Sequence, residues 1–304
     1  MSKFHFVKNK KVTLCVIALV LLVGIVSFFV RGFNIDIDFS GGTEIKLDLG
    51  VEVTSEVCDN INDIIRNHEK LGNEYVSSTT QSTTDSEMAI IRTGTAALEN
   101  DQIDALLDAL VEAYPAADID NKEIQMISPT IGADLTKKAI IAVAVAVVLM
   151  LIYISFRFEF KSGIAAVACL AHDLFVMFAV YSLFQIPVNS NIIAALLTIL
   201  GYSINATIVV FDRIRENKAK AEAGAEFGDV VNCGIHETFA RSVNTTLTTL
   251  FTIGMIYILG VDAIKNFALP LIIGIFAGLF SSVFMSGMIW EALTKIGGNK
   301  EKAE

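Results

Sequence analysis

Six runs of apolar residues recur along the chain, and polar segments separate them. No charged residue interrupts Val12 to Val30, and the sixth run extends from Ile264 to Ile289. About 20 apolar residues cross a bilayer as a helix, so these runs predict six transmembrane helices. The four predicted helices between the first and the last are Lys138 to Phe156, Ser162 to Phe184, Asn189 to Phe211 and Ser242 to Gly260.

Residues 31–137, between the first and second runs, have the pattern of a soluble α+β domain. The alternation in NIDIDFSGGTEIKLDL, centred on Gly41 and Gly42, predicts a bent strand or a hairpin. Apolar residues at helical spacing predict helices over Thr54 to Leu71 and Asn100 to Ala113, and EYVSSTTQST, EMAIIRTG and EIQMISPTI are typical of strands. The predicted order, ββαββα and a final strand, favours a ferredoxin-like domain.

The basic residues lie on one side of the predicted helices. Residues 1–11 contain four lysines, and further basic residues follow the second, fourth and sixth helices. Loops rich in Lys and Arg remain in the cytoplasm, so residues 1–11 are expected to be cytoplasmic and residues 31–137 extracytoplasmic. The first helix then occupies 12–30, helices two to six occupy 138–290, a cytoplasmic tail occupies 291–304, and Glu216 to Phe239 form a cytoplasmic helical connection.

Composition excludes several classes of function. The chain is 53% hydrophobic with a mean hydropathy of +0.58, as in membrane proteins. Its net charge is −10, and most of the acidic excess lies in residues 34–136, which argues against a nucleic-acid surface. The four cysteines lack metal-ligand spacing, and neither a phosphate loop nor a nucleophile elbow occurs. We therefore expect no catalytic residue, no metal site, no cofactor and no enzymatic activity.

The fourth run, with its polar continuation to Asn217, carries a polar stripe. An amide in hydrocarbon has no water to bond, so Asn205 requires a protein partner or a wet cavity. We expect this helix to pack inside a bundle and to present the stripe to another element. The stripe comprises Thr198, Gly201, Tyr202, Asn205, Val209 and Asp212 at helical spacing.

Two further polar positions are candidates for ion coupling. Asp173 lies near the middle of the third run, where a carboxyl group must be protonated, paired or hydrated. It is either a step in an ion path or a structural acid, whereas His172 is expected to be a packing residue. Arg241 precedes the fifth run and either pairs with Asp212 or extends to the cytoplasmic surface. Thr245 and Thr248 follow it on one helical stripe.

Small residues recur every four positions on the sixth run. Such stripes allow helices to approach closely, and packing is the preferred interpretation. The neighbouring helix is either internal or part of another subunit. The residues concerned are Gly274, Gly278, Ser282 and Ser286.

Five ordered segments together resemble the SecF family of bacterial protein translocase subunits, within the RND superfamily. They are LLTILGYSINATIVVFDRIREN, DFSGGTEI, GADLTKKA, the His172–Asp173 pair and ARSVNTTLTTL. The resemblance implies one six-helix half of a twelve-helix unit in the bacterial cytoplasmic membrane, paired with SecD. It also implies contact with the SecYEG channel, secreted polypeptide and lipid, and a coupling ion, H⁺, with a role for Arg241 in the polar path.

The sequence departs from this family at Ala206, where the family usually has an Asp that is proposed to carry the proton. Three interpretations remain open: Asp173 replaces the missing acid, another ion is used, or the position is deliberately silenced. The alternatives to an ion-driven export subunit are a structural translocase subunit without ion coupling and an RND-type exporter half. An intramembrane enzyme is disfavoured because no nucleophile or metal site is predicted.

Overall fold

The structure is a computed structural model that describes residues 5–6, 10–69, 76–81, 86–94, 98–157, 159–222 and 225–300. Within these residues, six helices are long and apolar enough to cross a membrane, as predicted. They are α1 (Lys10–Arg31), α5 (Pro129–Arg157), α6 (Phe160–Phe184), α7 (Asn191–Lys220), α8 (Phe227–Leu259), and the continuous unit of α9 (Asp262–Phe280), a π-helical turn (Ser281–Met285) and α10 (Ser286–Lys300).

Three of the six spans form the centre of the bundle. In the most apolar stretch of α6, α7 and the α9–α10 unit, 44%, 39% and 56% of the residues are buried. The corresponding share is 17% or less in α1, α5 and α8, which therefore surround the central three. A polar group on the inward face of a central helix consequently packs against neighbouring helices.

Helices α7 and α8 are longer than the apolar runs that predicted them. The expected connection from Glu216 to Phe239 is divided between the end of α7, at Lys220, and the start of α8, at Phe227. Ion pairs stabilise the extension of α7: Glu216 pairs with Arg213 and Lys220 on its own helix, and Lys218 pairs with Glu159.

The segment between α1 and α5 forms a four-stranded antiparallel sheet with two helices, here called the sheet domain. Among the described residues the strand order is β2-β3-β1-β4, with β1 paired to both β3 and β4. The apolar faces of α3 and α4 cover the sheet and share one core with β1 and β3. The elements are β1 (Gly42–Asp48), α3 (Ser55–Asn67), β2 (Val76–Gln81), β3 (Met88–Thr93), α4 (Asn100–Ala113) and β4 (Asp118–Ile127).

The predicted bent strand or hairpin at the start of the sheet domain was wrong in its first half. A short helix, α2 (Ile37–Ser40), precedes a single strand, and the order is therefore βαββαβ. The Asp36 side chain accepts a hydrogen bond from the Ile37 backbone N–H, which starts the helix. Gly41 and Gly42 follow it with φ angles of 76° and 130°, which only glycine adopts readily.

Helix α2 joins the sheet domain to the membrane helices. On the sheet side, the buried Arg92 guanidinium lies 3.0 Å from Asp36 and 2.8 Å from Glu44. On the membrane side, the Asp36 N–H donates to the Val188 carbonyl, in the loop between α6 and α7, over 3.1 Å. A Cβ at Gly132 would lie 2.5 Å from the Phe39 carbonyl oxygen, so this glycine permits α5 to approach α2. Among the described residues, α2 therefore connects the sheet domain to α5 and to the loop between α6 and α7.

Candidate functional site

The Asp173 carboxyl group lies fully buried where the three central helices meet. Oδ2 accepts hydrogen bonds from Ser203 Oγ of α7 over 2.5 Å and from Ser281 Oγ of the π-helical turn over 2.8 Å. Oδ1 lies 3.0 Å from His172 Nδ1. We call these four residues the Asp173 cluster. The cluster links α6, α7 and the sixth span through one carboxyl group.

Both ends of the Asp173 cluster are closed by apolar layers. On the side of the sheet domain lies a layer that includes Met177 and Tyr181 of α6 and Ile199 of α7. On the opposite side lies a second layer that includes Ala166 of α6 and Val210 of α7. The Asp173 side chain is itself fully buried between these two groups of apolar residues, and we therefore call the cluster occluded.

The π-helical turn places Ser281 against Asp173. Its backbone pattern is shifted by one residue, since the Ser286 N–H donates to the Ser281 carbonyl five residues earlier. The Ser281 carbonyl also accepts a hydrogen bond from Cys169 Sγ over 3.6 Å. π-helical turns within α-helices occur frequently at functional sites.

A groove on the opposite face of α7 contains most of the other predicted residues. It lies between α7 and α8, has a volume of about 320 Å³, and brings Asn205 and Ala206 together with Arg241 and Thr245. Arg241 and Asn205 are exposed on the surface of the bundle. Among the described residues that line this groove, none is acidic. We call this groove the Ala206 groove; Asp173 does not line it.

A second groove, at the end of α7 farther from the sheet domain, contains Asp212. Arg241 lines this groove as well, and its volume is about 700 Å³. The ion pair between Asp212 and Arg241, one of the two alternatives for Arg241, is absent among the described residues. Asp212 pairs instead with Arg157 over 3.5 Å and with Arg215 over 3.4 Å, both half-exposed contacts. Asp173 therefore lies in a buried cluster, whereas Asn205 and Arg241 line open grooves, and no polar path shared by these three residues is present in the part of the chain that the structure describes.

The remaining predicted residues are helix-packing or backbone-bonded positions in this arrangement. Thr248 donates to the Thr245 carbonyl over 2.9 Å. A Cβ at Gly274 would lie 2.5 Å from Ile199 Cγ1, and a Cβ at Gly278 would lie 3.3 Å from Ser203 Cβ. The small residues therefore bring the sixth span against α7 of the same chain. Ser282 is fully buried and donates to the Leu279 carbonyl over 3.1 Å.

Sequence reasoning missed Ser203 and Ser281 and separated His172 from Asp173. Ser203 lies within GYSIN, but it points away from the polar stripe that drew attention to Asn205. Ser281 precedes the small-residue position Ser282, and only the π-helical turn directs it towards α6. The sequence contained one signal for these partners. Asp173 requires a hydrogen-bond donor at mid-membrane, and the stripe of small residues on the sixth run includes serines that could supply a hydroxyl group.

A sequence profile described as "Protein export membrane protein SecD/SecF, C-terminal" matches residues 107–296. The chain belongs to the SecD/SecF family. It is 37% identical to the protein translocase subunit SecF of Acidaminococcus fermentans over 95% of this chain and 97% of that protein. It is 32% identical to the protein translocase subunit SecDF of Bacillus subtilis over 96% of this chain but only 38% of that longer protein.

A crystal structure of a SecD/SecF family member also resembles the whole chain. SecDF from Thermus thermophilus, described as a translocon-associated membrane protein, matches 98% of this chain with a TM-score of 0.80 and 30% identity. The chain spans 39% of that SecDF chain. The SecD/SecF arrangement thus includes both the membrane helices and the sheet domain described above.

Proposed function

We propose that the chain is an accessory subunit of the Sec protein-export translocase. It pairs with SecD, associates with the SecYEG channel, and promotes the late movement of unfolded secreted polypeptides across the bacterial cytoplasmic membrane. The similarity to SecF over 95% of the chain is the observation that carries this proposal. The subunit acts through conformational change and without catalysing a chemical reaction.

The sheet domain is, in this proposal, a ferredoxin-like domain outside the cytoplasm, where it meets the exported polypeptide. The strand order β2-β3-β1-β4 and the βαββαβ succession support that assignment. The distribution of Lys and Arg supports cytoplasmic N- and C-termini. Polypeptide released on the far side of the channel is then held by a domain that is fixed to the membrane helices.

In this proposal the free energy for moving the polypeptide comes from an ion gradient, and the coupled ion is the proton. A potential of 100 mV supplies about 2.3 kcal/mol for each elementary charge that crosses the membrane. The gradient can move the sheet domain only if the ion binds its two positions with different affinity. The junction at α2 supports such a coupling because it contacts β1, the α6–α7 loop and α5 together.

The Ala206 groove supports an interface with SecD. Arg241 is exposed there, and a guanidinium group at membrane depth is costly without an anion or water. The similar SecDF chain is more than twice as long as this one, which supports a second half within the same unit. Packing of that half against α7 and α8 closes the groove and shields Arg241 from lipid.

A structural translocase subunit without ion coupling is the second candidate, and Ala206 favours it. Alanine has no titratable group, and the described lining of the groove contains no acid that replaces it. In that case the chain stabilises SecD and the channel but transmits no energy. An exporter half of the RND superfamily is disfavoured by the match to translocase subunits.

The test is export of a secreted reporter in cells that lack the chromosomal copy of this chain. Restoration by the plasmid-borne chain, together with co-purification of SecD, is the expected result. Normal export without the chain, or a complex without any translocase component, contradicts the proposed function. An Ala206→Asp variant then distinguishes the two candidates: increased gradient-dependent export, with Ala206→Asn unchanged, identifies a silenced relay. An unchanged rate leaves the structural subunit or a substitute acid.

A further inference from the structure

We propose that the Asp173 cluster is an occluded proton-binding site in which Asp173 and His172 share one proton, and whose occupancy sets the packing of the three central helices. This inference rests on the proposed function for its purpose, because it names the group that would carry the coupling proton. Its geometry does not involve the Ala206 groove.

The contacts of Asp173 are suited to two protonation states. With the carboxyl group ionised, Ser203 and Ser281 both donate to Oδ2, and the His172 ring donates from Nδ1 to Oδ1. With one more proton on the Asp173–His172 pair, the pair becomes neutral, either as a carboxylic acid that donates to Nδ1 or as an imidazolium beside a carboxylate.

The charged neighbourhood of the pair is small. Among the described residues, the titratable side chains that interact with Asp173 are His172 and Cys169, both on α6. The other two helices contribute the Ser203 and Ser281 hydroxyl groups. Within the described ranges, no Lys or Arg side chain forms an ion pair with the carboxyl group, and its charged partner can only be His172.

An unsatisfied hydroxyl group indicates the direction of access. Thr207 lies one helical turn beyond Ser203 on the same face of α7 and is 1% exposed. Its Oγ1 has no hydrogen-bond partner among the described residues, which is costly for a buried polar group. A water molecule beside Thr207 would satisfy this hydroxyl group and would extend the polar line from Asp173 towards the end of the bundle away from the sheet domain.

The two apolar layers then act as gates on either side of the proton. Protonation of the carboxyl group leaves Oδ2 an acceptor but a weaker one than a carboxylate oxygen, which weakens the Ser203 and Ser281 hydrogen bonds and with them the contact between α6 and its two partners. The site thereby connects a proton to the relative position of helices, since a single carboxyl group accepts from two other spans. The proton is expected to enter from water at one end of the bundle, to bind the Asp173–His172 pair, and to leave to water at the other end. One apolar layer opens for entry, and the other opens for release.

The direct test is infrared difference spectroscopy of the full chain in lipid vesicles as a function of pH. The expected spectrum contains the carbonyl band of a buried protonated carboxylic acid that disappears at higher pH and is absent in Asp173→Asn at every pH. Ser203→Ala removes a donor to the carboxylate, so the midpoint of the band differs measurably from that of the unmodified chain. Ser282→Ala, a buried hydroxyl that bonds only the Leu279 carbonyl, leaves the midpoint unchanged.

The inference is overturned if no Asp173-dependent band changes over the pH range in which the protein remains folded. It is also overturned if Ser203→Ala and Ser282→Ala give the same midpoint as the unmodified chain; this comparison remains decisive should Asp173→Asn fail to fold. Either result leaves the export role intact, because the spectra are recorded without a translocation reaction. Loss of reporter export without the chain, by contrast, tests the export role alone.

Discussion

The Asp38 carboxylate accepts a hydrogen bond from the backbone N–H of Ser190, with 2.7 Å between Oδ2 and N. Asp38 belongs to α2 of the sheet-domain junction, and Ser190 is the N-cap of membrane helix α7. A carboxylate at this position satisfies a free N–H group and interacts favourably with the positive end of the helix dipole. One side chain of the junction thus caps the helix that carries Ser203 and Ala206.

Replacing Asp38 by Ala is expected to loosen the junction. The change removes the cap of α7 and should lower stability by about 1 kcal/mol. Hydrogen–deuterium exchange should accelerate at the first turn of α7, while the buried middle of α7 remains protected. Asp59→Ala, on α3 of the sheet domain, is the control. Equal exchange at the first turn of α7 in both variants contradicts the capping role.

Replacing Arg92 by Leu should disrupt the sheet side of the junction severely. Arg92 is 8% exposed at its side chain and pairs with Asp36 and Glu44, so its loss leaves two carboxylates buried without a cation. Breaking such a buried pair costs about 3–5 kcal/mol. Hydrogen–deuterium exchange of the β1 and β3 amides measures this loss of stability.

The control for Arg92 is Arg66→Ala, which removes an ion pair with Asp63 in which both side chains are exposed. A surface pair of this kind contributes about 0–1 kcal/mol, and we therefore expect little change in amide protection. Similar effects of the two substitutions would show that the buried triad contributes no more than a surface contact.

Glu44 gives the sheet domain a defined pH dependence. Burial raises the pKa of this carboxyl group from its ordinary value, against the opposing effect of Arg92. A raised pKa means that the folded state binds the proton more tightly than the unfolded state, so this contribution to stability falls as pH rises through the window above 4.5. Protection of β1 amides, corrected for intrinsic exchange, should decline there, and Glu44→Gln should remove the decline. A rise in protection through the window contradicts the assignment.

Any side chain at position 274 in place of Gly274 should lower the stability of the protein. A Cβ at this position would collide with the buried Ile199 side chain, whereas a Cβ at Gly254 of α8 meets nothing within 4 Å. Gly274→Ala should therefore lower stability by about 1–3 kcal/mol through overpacking. Gly254→Ala should be neutral or stabilising because alanine favours helix. Thermal unfolding of the full chain distinguishes them, and equal melting temperatures would refute close packing of the sixth span on α7.

The number of membrane helices was predictable from the sequence. Bilayer thickness fixes the length of an apolar run, and six runs gave six helices. The ends of α7 and α8 were not predictable from hydropathy, because ion pairs such as Arg213–Glu216 continue the helix beyond the apolar segment. Helix α2 was missed because its four residues fit an alternating strand pattern, and the Asp36 cap and Gly41 turn decide otherwise.

The sequence identified Asp173 as a candidate site residue but did not show which residues contact it. A carboxyl group at mid-membrane identified Asp173 from the sequence, since such a group requires partners. Its partners Ser203 and Ser281 lie on two other helices, and their convergence depends on helix rotation and on a π-helical turn that has no clear sequence signal. The choice between the two alternatives for Arg241 could not be made for the same reason: similar depth does not fix which helix faces which, and Asp212 pairs with Arg157 and Arg215.

The most direct test of the account is export into membrane vesicles with and without an imposed proton gradient. The unmodified chain and the Ser282→Ala control should both accelerate the late stage of polypeptide movement when the gradient is present. Asp173→Asn should support the same basal export and show no acceleration, because the buried proton-binding group is gone. Full acceleration by Asp173→Asn would contradict the claim that this chain couples a proton gradient through the Asp173 cluster.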